Sequence, residues 1–237
     1  MMDGAAAGRA PRRFLNVAHP SVEIWLVKPV VSARGHASAG SMMLNDRSTI
    51  LSLLHTRRSG KPREMVAPGP DAAQLAEILG IAARTPDHGK LVPWRVVIVA
   101  AAQRGTLADL LARALPDAIL DASGAHHAKA LEFAHQAPSL VVIVSAPIAG
   151  HKIPLWEQEL SSGAAAMNLL LAAHALGFVG GWITGWPAYA PLVTQAFCGD
   201  GERIAGFMFL GSPTAPLEER PRPDMAAIVR NWDPDAA

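Results

Sequence analysis

Between Leu160 and Gly199 the chain carries no Asp, Glu, Lys or Arg, and no other feature restricts its fold so much. An uncharged stretch of that length belongs in a large core, at a subunit interface or in a bilayer. Ser161, Ser162, Asn168 and His174 interrupt its apolar character, Gly180-Gly181 and Pro187 break it, and no basic anchors flank it. Those interruptions argue against a bilayer, so no membrane partner is expected. The run Ala164-Ala165-Ala166-Met167 with Leu169-Leu170-Leu171-Ala172-Ala173 reads as a helix apolar on nearly every side. One small sheet cannot cover all of it, and a second copy of the chain is expected over the remainder.

Composition narrows the field further. A chain of 237 residues can bury roughly 70–75% of its unfolded surface. Its 17% of charged residues lies below the usual ~25% and argues against disorder. The single cysteine, Cys198, precludes an internal disulfide and argues against a cysteine-based zinc site. A net charge of +1 and 5% aromatic residues leave no nucleic-acid footprint. A cytoplasmic globular protein is the expectation.

Charge is unevenly placed. Residues 1–41 hold five basic and two acidic groups, net +3, which leaves −2 for the remainder. Their apolar stretch, Val22 to Val31, is interrupted by Glu23, Lys28 and Pro29 and does not make a signal peptide. A transit peptide and an over-extended start are both open; Met42-Met43, directly before a well-patterned helix, favour the second. Residues 1–41 are thus expected outside the fold, as a disordered extension or a mis-assigned start, and residues 42–237 as a single domain.

Within that domain, Asp46 or Ser48 can cap a helix through His55, and Pro68-Gly69-Pro70-Asp71 forms a loop and the cap of the next helix. Arg84 to Lys90 is irregular, Trp94 to Ala101 a buried strand, and residues 103–115 and 117–136 helices. A strand over Leu140–Ser145 precedes the long helix Gln158–Leu176. A short strand Val179–Thr184, a helix Tyr189–Phe197, a longer strand Arg203–Leu210 and an extended proline-rich tail follow. The pattern is α+β, with helices packed around a sheet.

Several groups of residues invite chemistry. Arg57-Arg58-Ser59 with Lys61 concentrates three cations and a hydroxyl, a donor set that matches phosphate oxygens. By composition alone, a solvated helix C-terminus explains them better. Arg84, His88 and Lys90 lie in a Pro/Gly loop leading to Pro93-Trp94, placed for a ligand or simply a loop. Gly177-Phe178-Val179-Gly180-Gly181-Trp182 is no dinucleotide fingerprint, although its glycines permit close backbone approach. Trp156-Glu157-Gln158-Glu159 reads as compensation of a helix dipole. His126, His127 and His135 lack carboxylate partners at ligand spacing, so no metal is expected.

Taken in order, these segments resemble the nitroreductase family of FMN-binding, NAD(P)H-oxidising flavoproteins, and most of all its small NAD(P)H nitroreductase subgroup. The resemblance is carried by Leu53-Leu54-His55-Thr56-Arg57-Arg58-Ser59, Arg84-Thr85-Pro86-Asp87-His88, Pro93-Trp94, Trp156 to Glu159, Gly177 to Trp182, and Gly206-Phe207-Met208-Phe209-Leu210-Gly211. It implies a central, mostly antiparallel sheet flanked by helices, and a homodimer with shared active sites. Arg57, Arg58 and Ser59 match the segment holding the FMN phosphate and ribityl chain, and Lys61 a lysine at the flavin pyrimidine edge. Arg84 and His88 match residues contributed to the neighbouring subunit's flavin. Trp182, Ile183 and Thr184 match a strand along the isoalloxazine, and Ala172, Ala173, His174, Ala175, Leu176 and Gly177 a stretch linked to NAD(P)H. Val92 stands where many relatives have Gln, and Ile183 where the nearest can carry a larger polar residue; both make the pocket more apolar.

The implied activity is transfer of hydride from NAD(P)H to FMN and of electrons to a nitroaromatic, quinone or other small oxidant. It needs no dedicated acid–base residue, so none is nominated as catalytic. A flavin-dependent dehydrogenase of a specific metabolite and a non-catalytic flavin-binding module are the alternatives.

Overall fold

The structure, a computed structural model, describes residues 43–234, so the expected leader 1–41 lies outside the described residues. Chain order begins with helix α1 (Ile50–Thr56), strand β1 (Met65–Val66), α2 (Ala72–Ala82), β2 (Trp94–Val99), α3 (Arg104–Ala118) and α4 (Gly124–His135). It continues with β3 (Ser139–Ser145), α5 (Leu155–Ala175), β4 (Val179–Ile183), α6 (Pro191–Phe197), β5 (Arg203–Pro213) and the single turn α7 (Met225–Ile228). The α+β expectation holds: every pairing in the five-stranded sheet is antiparallel, in the order β1-β5-β3-β2, with β4 also paired to β5.

Local chemistry accounts for many boundaries. Asp71 caps α2 with a full capping box: its carboxylate accepts from Gln74 N–H while Gln74 Oε1 accepts from Asp71 N–H. The cap of α1 is Thr49, not Asp46 or Ser48; its hydroxyl accepts from Ser52 N–H, while Asp46 turns to bond Ser48. Helix α3 runs on through Pro116 to Ala118, and α4 starts only at Gly124. The break between these helices therefore falls later than expected. The tail beyond Pro213 is extended apart from α7.

Two apolar layers sandwich the sheet. Val141, Ile143, Met208 and Leu210 face α2 and α5. Leu140, Val142, Val144, Phe207 and Phe209 face α3, α4 and α6, where Phe133 meets Phe207 and Phe209 edge-on, with ring centroids 5.1 and 5.2 Å apart. The continuous apolar run of β3 has both faces covered, as a central strand requires. Strand β2, expected to be buried, is buried at its ends, Trp94 and Val99, but not along its middle. It pairs only with β3 among the described residues, so Val96 and Ile98 are exposed at the sheet edge.

Helix α5 is covered more completely by its own chain than its sequence suggested. Ala165, Ala166, Leu169, Leu170, Ala172 and Ala173 are all buried, because α2 lies across the face that the sheet leaves open. The polar residues interrupting the run are each spent on a loop. Ser161 donates to Pro86 O (2.7 Å), Ser162 to Pro93 O (2.8 Å) and Asn168 Nδ2 to Thr85 Oγ1 (2.8 Å), pinning the proline loop to the helix. Gln158, also buried, accepts from Ile148 N–H and donates to Ile153 O. Its neighbour Glu157 pairs with His88, so this segment does more than compensate a dipole.

Candidate functional site

The segment after α1 is held from two sides. Asn45 brackets Arg58, accepting its N–H (2.8 Å) and donating to its carbonyl (3.1 Å). Gly60 N–H donates to Gly180 O of β4 at 3.2 Å. A Cβ on Gly181 would stand 2.9 Å from Gly60 O, so only glycine lets the strand lie this close to the loop. The loop is thereby built into the sheet and not left as a frayed helix end.

On this base the chain assembles more positive charge than the sequence reading located. The tail after β5 returns past the loop, with Arg58 Nε donating to Glu218 O (2.7 Å) and Arg222 Nη2 to Arg57 O (3.2 Å). Arg222, Arg58 and Arg220 all act electrostatically on Arg57. Burial first, and then those three like charges, lower the Arg57 pKa below its usual value. The one side-chain hydrogen bond of Arg57 among the described residues goes to Ser59 Oγ, at 3.2 Å. Glu219 is the carboxylate nearby, bonded to Arg222 at 2.8 Å. Three guanidinium groups thus act on Arg57 with Glu219 opposing them, an arrangement suited to an anion of more than one charge. Asn45, Arg220 and Arg222 had escaped the sequence reading, since nothing in their spacing ties them to Arg57.

Lys61 stands at the rim, paired with Glu64 at 3.0 Å. The tail residues Ala215 to Glu218 wall a groove of about 210 Å³ there, together with Arg58 to Lys61 and Glu64.

Behind the loop lies His174, fully buried in α5. Its Nε2 accepts from Gly180 N–H at 3.2 Å, so in the neutral ring Nδ1 carries the proton. That Nδ1 has no partner among the described residues. Burial, and next the charge of Arg57, push the imidazole pKa down to about 4.

Strand β4 splits the residues expected along a flat ligand. Trp182 faces α5 and lies against Gly206, which has no side chain to displace it, and Gly163. Its Nε1–H donates to Ala205 O at 3.0 Å. Ala205 is the residue that the β3–β5 ladder skips, a bulge that leaves its carbonyl available. Ile183 faces the other way, into the layer under α3 and α6. One ligand face therefore cannot meet both side chains. Thr184, half-buried, follows the strand end.

Other expected residues are separated from this cluster. His88 Nδ1 bonds Glu157 Oε2 at 2.7 Å near the start of α5, and Arg84 is exposed in the same loop. From Glu157 to His174 the helix rises about 25 Å at 1.5 Å per residue. One chain thus does not bring His88 to Arg57. Of the stretch linked to NAD(P)H, Ala172, Ala173 and His174 are buried in the core, which removes their side chains from contact with a dissolved nucleotide. Leu176 is half-buried, while Ala175 and Gly177 reach the surface. There Arg47 lies over Gly177, whose φ of +96° suits glycine at the helix end. Among the described residues no group of His, Cys, Asp and Glu could hold a metal ion, and no helix is long and apolar enough to cross a membrane.

Known proteins share this architecture. The model of a family described as the nitroreductase family matches residues 55–212. The Escherichia coli (strain K12) protein named "Putative NAD(P)H nitroreductase YdjA" is 35% identical over 164 residues, covering 69% of this chain and 87% of that one. Among solved structures, a nitroreductase-like family protein from Bacillus cereus superposes with a TM-score of 0.66 at 20% identity, over 78% of this chain and 97% of that one. A variant of the FMN- and NADPH-dependent nitroreductase NfnB from a Sphigopyxis strain gives a TM-score of 0.60 at 19% identity, over 76% and 97%. The two structural matches speak to the fold.

Proposed function

This chain belongs to the nitroreductase family, and from that premise we propose that it is an FMN-dependent oxidoreductase taking hydride from NAD(P)H and passing electrons to a small oxidant, such as a nitroaromatic or a quinone. The observation that carries the reading is the convergence of Arg57, Arg58, Arg220 and Arg222 beside Ser59. A terminal phosphate monoester fits that donor set, because its two charges need several cations and its oxygens accept from guanidinium forks. Bound FMN would supply the redox chemistry, hydride in and electrons out.

The protein's part is to hold and to polarise. The arginines neutralise the phosphate, and Ser59 adds a hydroxyl donor. Lys61, exchanged from Glu64, would stand at the pyrimidine edge and stabilise negative charge developing there. The end of β4 and Thr184 after it, with Trp182 on the α5 side, would hold the flavin ring. Ala175 and Gly177 are the members of the NAD(P)H stretch open to a nucleotide. No side chain is assigned proton transfer. The FMN-binding unit is the single domain 42–237, acting in the cytoplasm.

A homodimer completes the site. Helix α1 exposes Ile50, Leu51 and Leu54, and α5 exposes Leu155, Trp156 and Leu160, apolar surface that a second copy would cover. The distance along α5 separating His88 from Arg57 then has a purpose, since Arg84 and His88 serve the neighbour's flavin. Mixed dimers test this: combining a chain carrying Arg57→Ala with one carrying Arg84→Ala should restore one intact site per dimer and part of the flavin binding. A monomer in light scattering, or no recovery in proven heterodimers, would refute the shared site.

The cofactor itself is checked by extraction and chromatography. FMN is expected; FAD, or no flavin after FMN is added, overturns the reading. Anaerobic bleaching of the bound flavin by NADH or NADPH separates an enzyme from a flavin-binding module.

A further inference from the structure

We propose that His174 is a positioning residue for the cofactor loop, fixing through residue Gly180 of β4 where Gly60, and with it Arg57 to Lys61, stands. The proposal rests on the FMN reading above and deepens it, because it names what sets the geometry of the phosphate site from behind.

The chain of contacts is short and each link is specific. His174 Nε2 accepts from Gly180 N–H, and the carbonyl of the same residue accepts from Gly60 N–H, both at 3.2 Å. One residue of β4 thus hangs between the helix and the loop. Gly180 has no Cβ; one placed there would stand 2.5 Å from Leu170 Cδ2 and 3.2 Å from Leu210 Cδ2, with the imidazole Nε2 at 3.6 Å. The missing side chain lets α5, which carries both Leu170 and His174, pack close against the strand. The ring must be neutral to accept this bond, which leaves Nδ1–H buried without a partner. An unsatisfied buried donor is costly, and a leucine would fill the same apolar space between α5 and β4 without it. A histidine here is explained if the Gly180 amide needs an acceptor.

Elsewhere the loop is held at Arg58, by Asn45 and by the tail at Glu218, and at Arg57 by Arg222. Among the described residues, the backbone hydrogen bond of Gly60 goes to Gly180. When the acceptor is removed, Gly180 N–H loses its partner on the α5 side and the strand is no longer held there; the Gly180 Cα, which joins that amide to the carbonyl facing Gly60, is then free to shift and to carry the carbonyl with it. The arginines would keep their charges and lose their common focus.

The test compares His174→Leu with His174→Gln in the full-length chain. Gln carries an amide oxygen at nearly the reach of Nε2, whereas Leu fills the space with no acceptor. In His174→Leu the FMN Kd should rise by about tenfold or more, the scale of one buried unsatisfied donor. Gly60 amide exchange in the flavin-free protein should speed up by a similar factor. In His174→Gln both should stay within about threefold of the parent. A purely space-filling role predicts the reverse order, with Leu tolerated and Gln not, and that result overturns the proposal. So does equal loss of affinity in both variants, or an unchanged Kd and exchange rate in His174→Leu. Should the Leu variant fail to fold, His174→Asn, one methylene too short, replaces it with the same expectations. If the parent protein binds no FMN, the functional reading falls, while Gly60 exchange in the flavin-free chains still decides the role of His174.

Discussion

Acid should weaken this fold through one identifiable residue. His174 has an ordinary pKa of 6.5 in the unfolded chain and about 4 in the folded one, where burial and then Arg57 disfavour the imidazolium. Between those values the unfolded chain binds a proton that the folded chain does not. Stability therefore rises with pH across the window: the contribution is complete above 6.5, falls as pH drops towards 4, and changes no further below it. At about 1.36 kcal/mol per pH unit, the full loss is about 3 kcal/mol, and about 2 kcal/mol of it comes between pH 7 and 5. Against a total of roughly 5–15 kcal/mol for a domain this is readily measured. Urea denaturation of flavin-free protein at pH 7, 6, 5 and 4 would give the curve, with His174→Gln as the reference lacking the titration. The parent should lose about 2 kcal/mol more than the variant between pH 7 and 5. Parallel curves would refute the reasoning, since they would mean that His174 titrates alike in both states.

Three further outcomes follow from the site. Arg57→Ala should weaken FMN binding by about 1.5–3 kcal/mol, one charge-assisted phosphate contact, read by fluorescence titration of the flavin-free protein. Arg220→Ala with Arg222→Ala should weaken it too and flatten its salt dependence, because two of the guanidinium charges nearest Arg57 are gone; titrations at two salt concentrations compare the slopes. Gly206→Ala places a methyl in the space of the Trp182 indole, so a loss of about 1–3 kcal/mol in urea unfolding is expected, with a change in tryptophan emission as the bond to Ala205 breaks.

The elements and the anion loop were legible in the sequence for local reasons. Helix α2 announces itself by Asp71 and Gln74 three residues apart, and the interaction that starts the helix lies within that spacing. Strand β3 is an unbroken apolar run, which is what a strand covered on both faces must be. Arg57, Arg58 and Ser59 are contiguous, so their grouping could be noticed, although a plain helix end explained it as well. The edge position of β2 could not be read, because its Val- and Ile-rich run looks the same whether one or two strands flank it.

What the sequence by itself determined is the family, the order of helices and strands, and an uncharged segment that must be buried. What only the tertiary structure decided is which distant residues that segment serves. Ser161, Ser162, Asn168 and His174 look like polar blemishes in an apolar helix, yet the first three meet a loop, at Pro86, Pro93 and Thr85, and His174 meets strand β4 at Gly180. Arg222 reaches Arg57 across a separation of 165 residues. Helix caps and apolar periods act over three or four residues and leave a mark in the sequence. Hydrogen bonds and charges that close across the fold depend on where the backbone returns, and that is set by packing on both faces of the sheet.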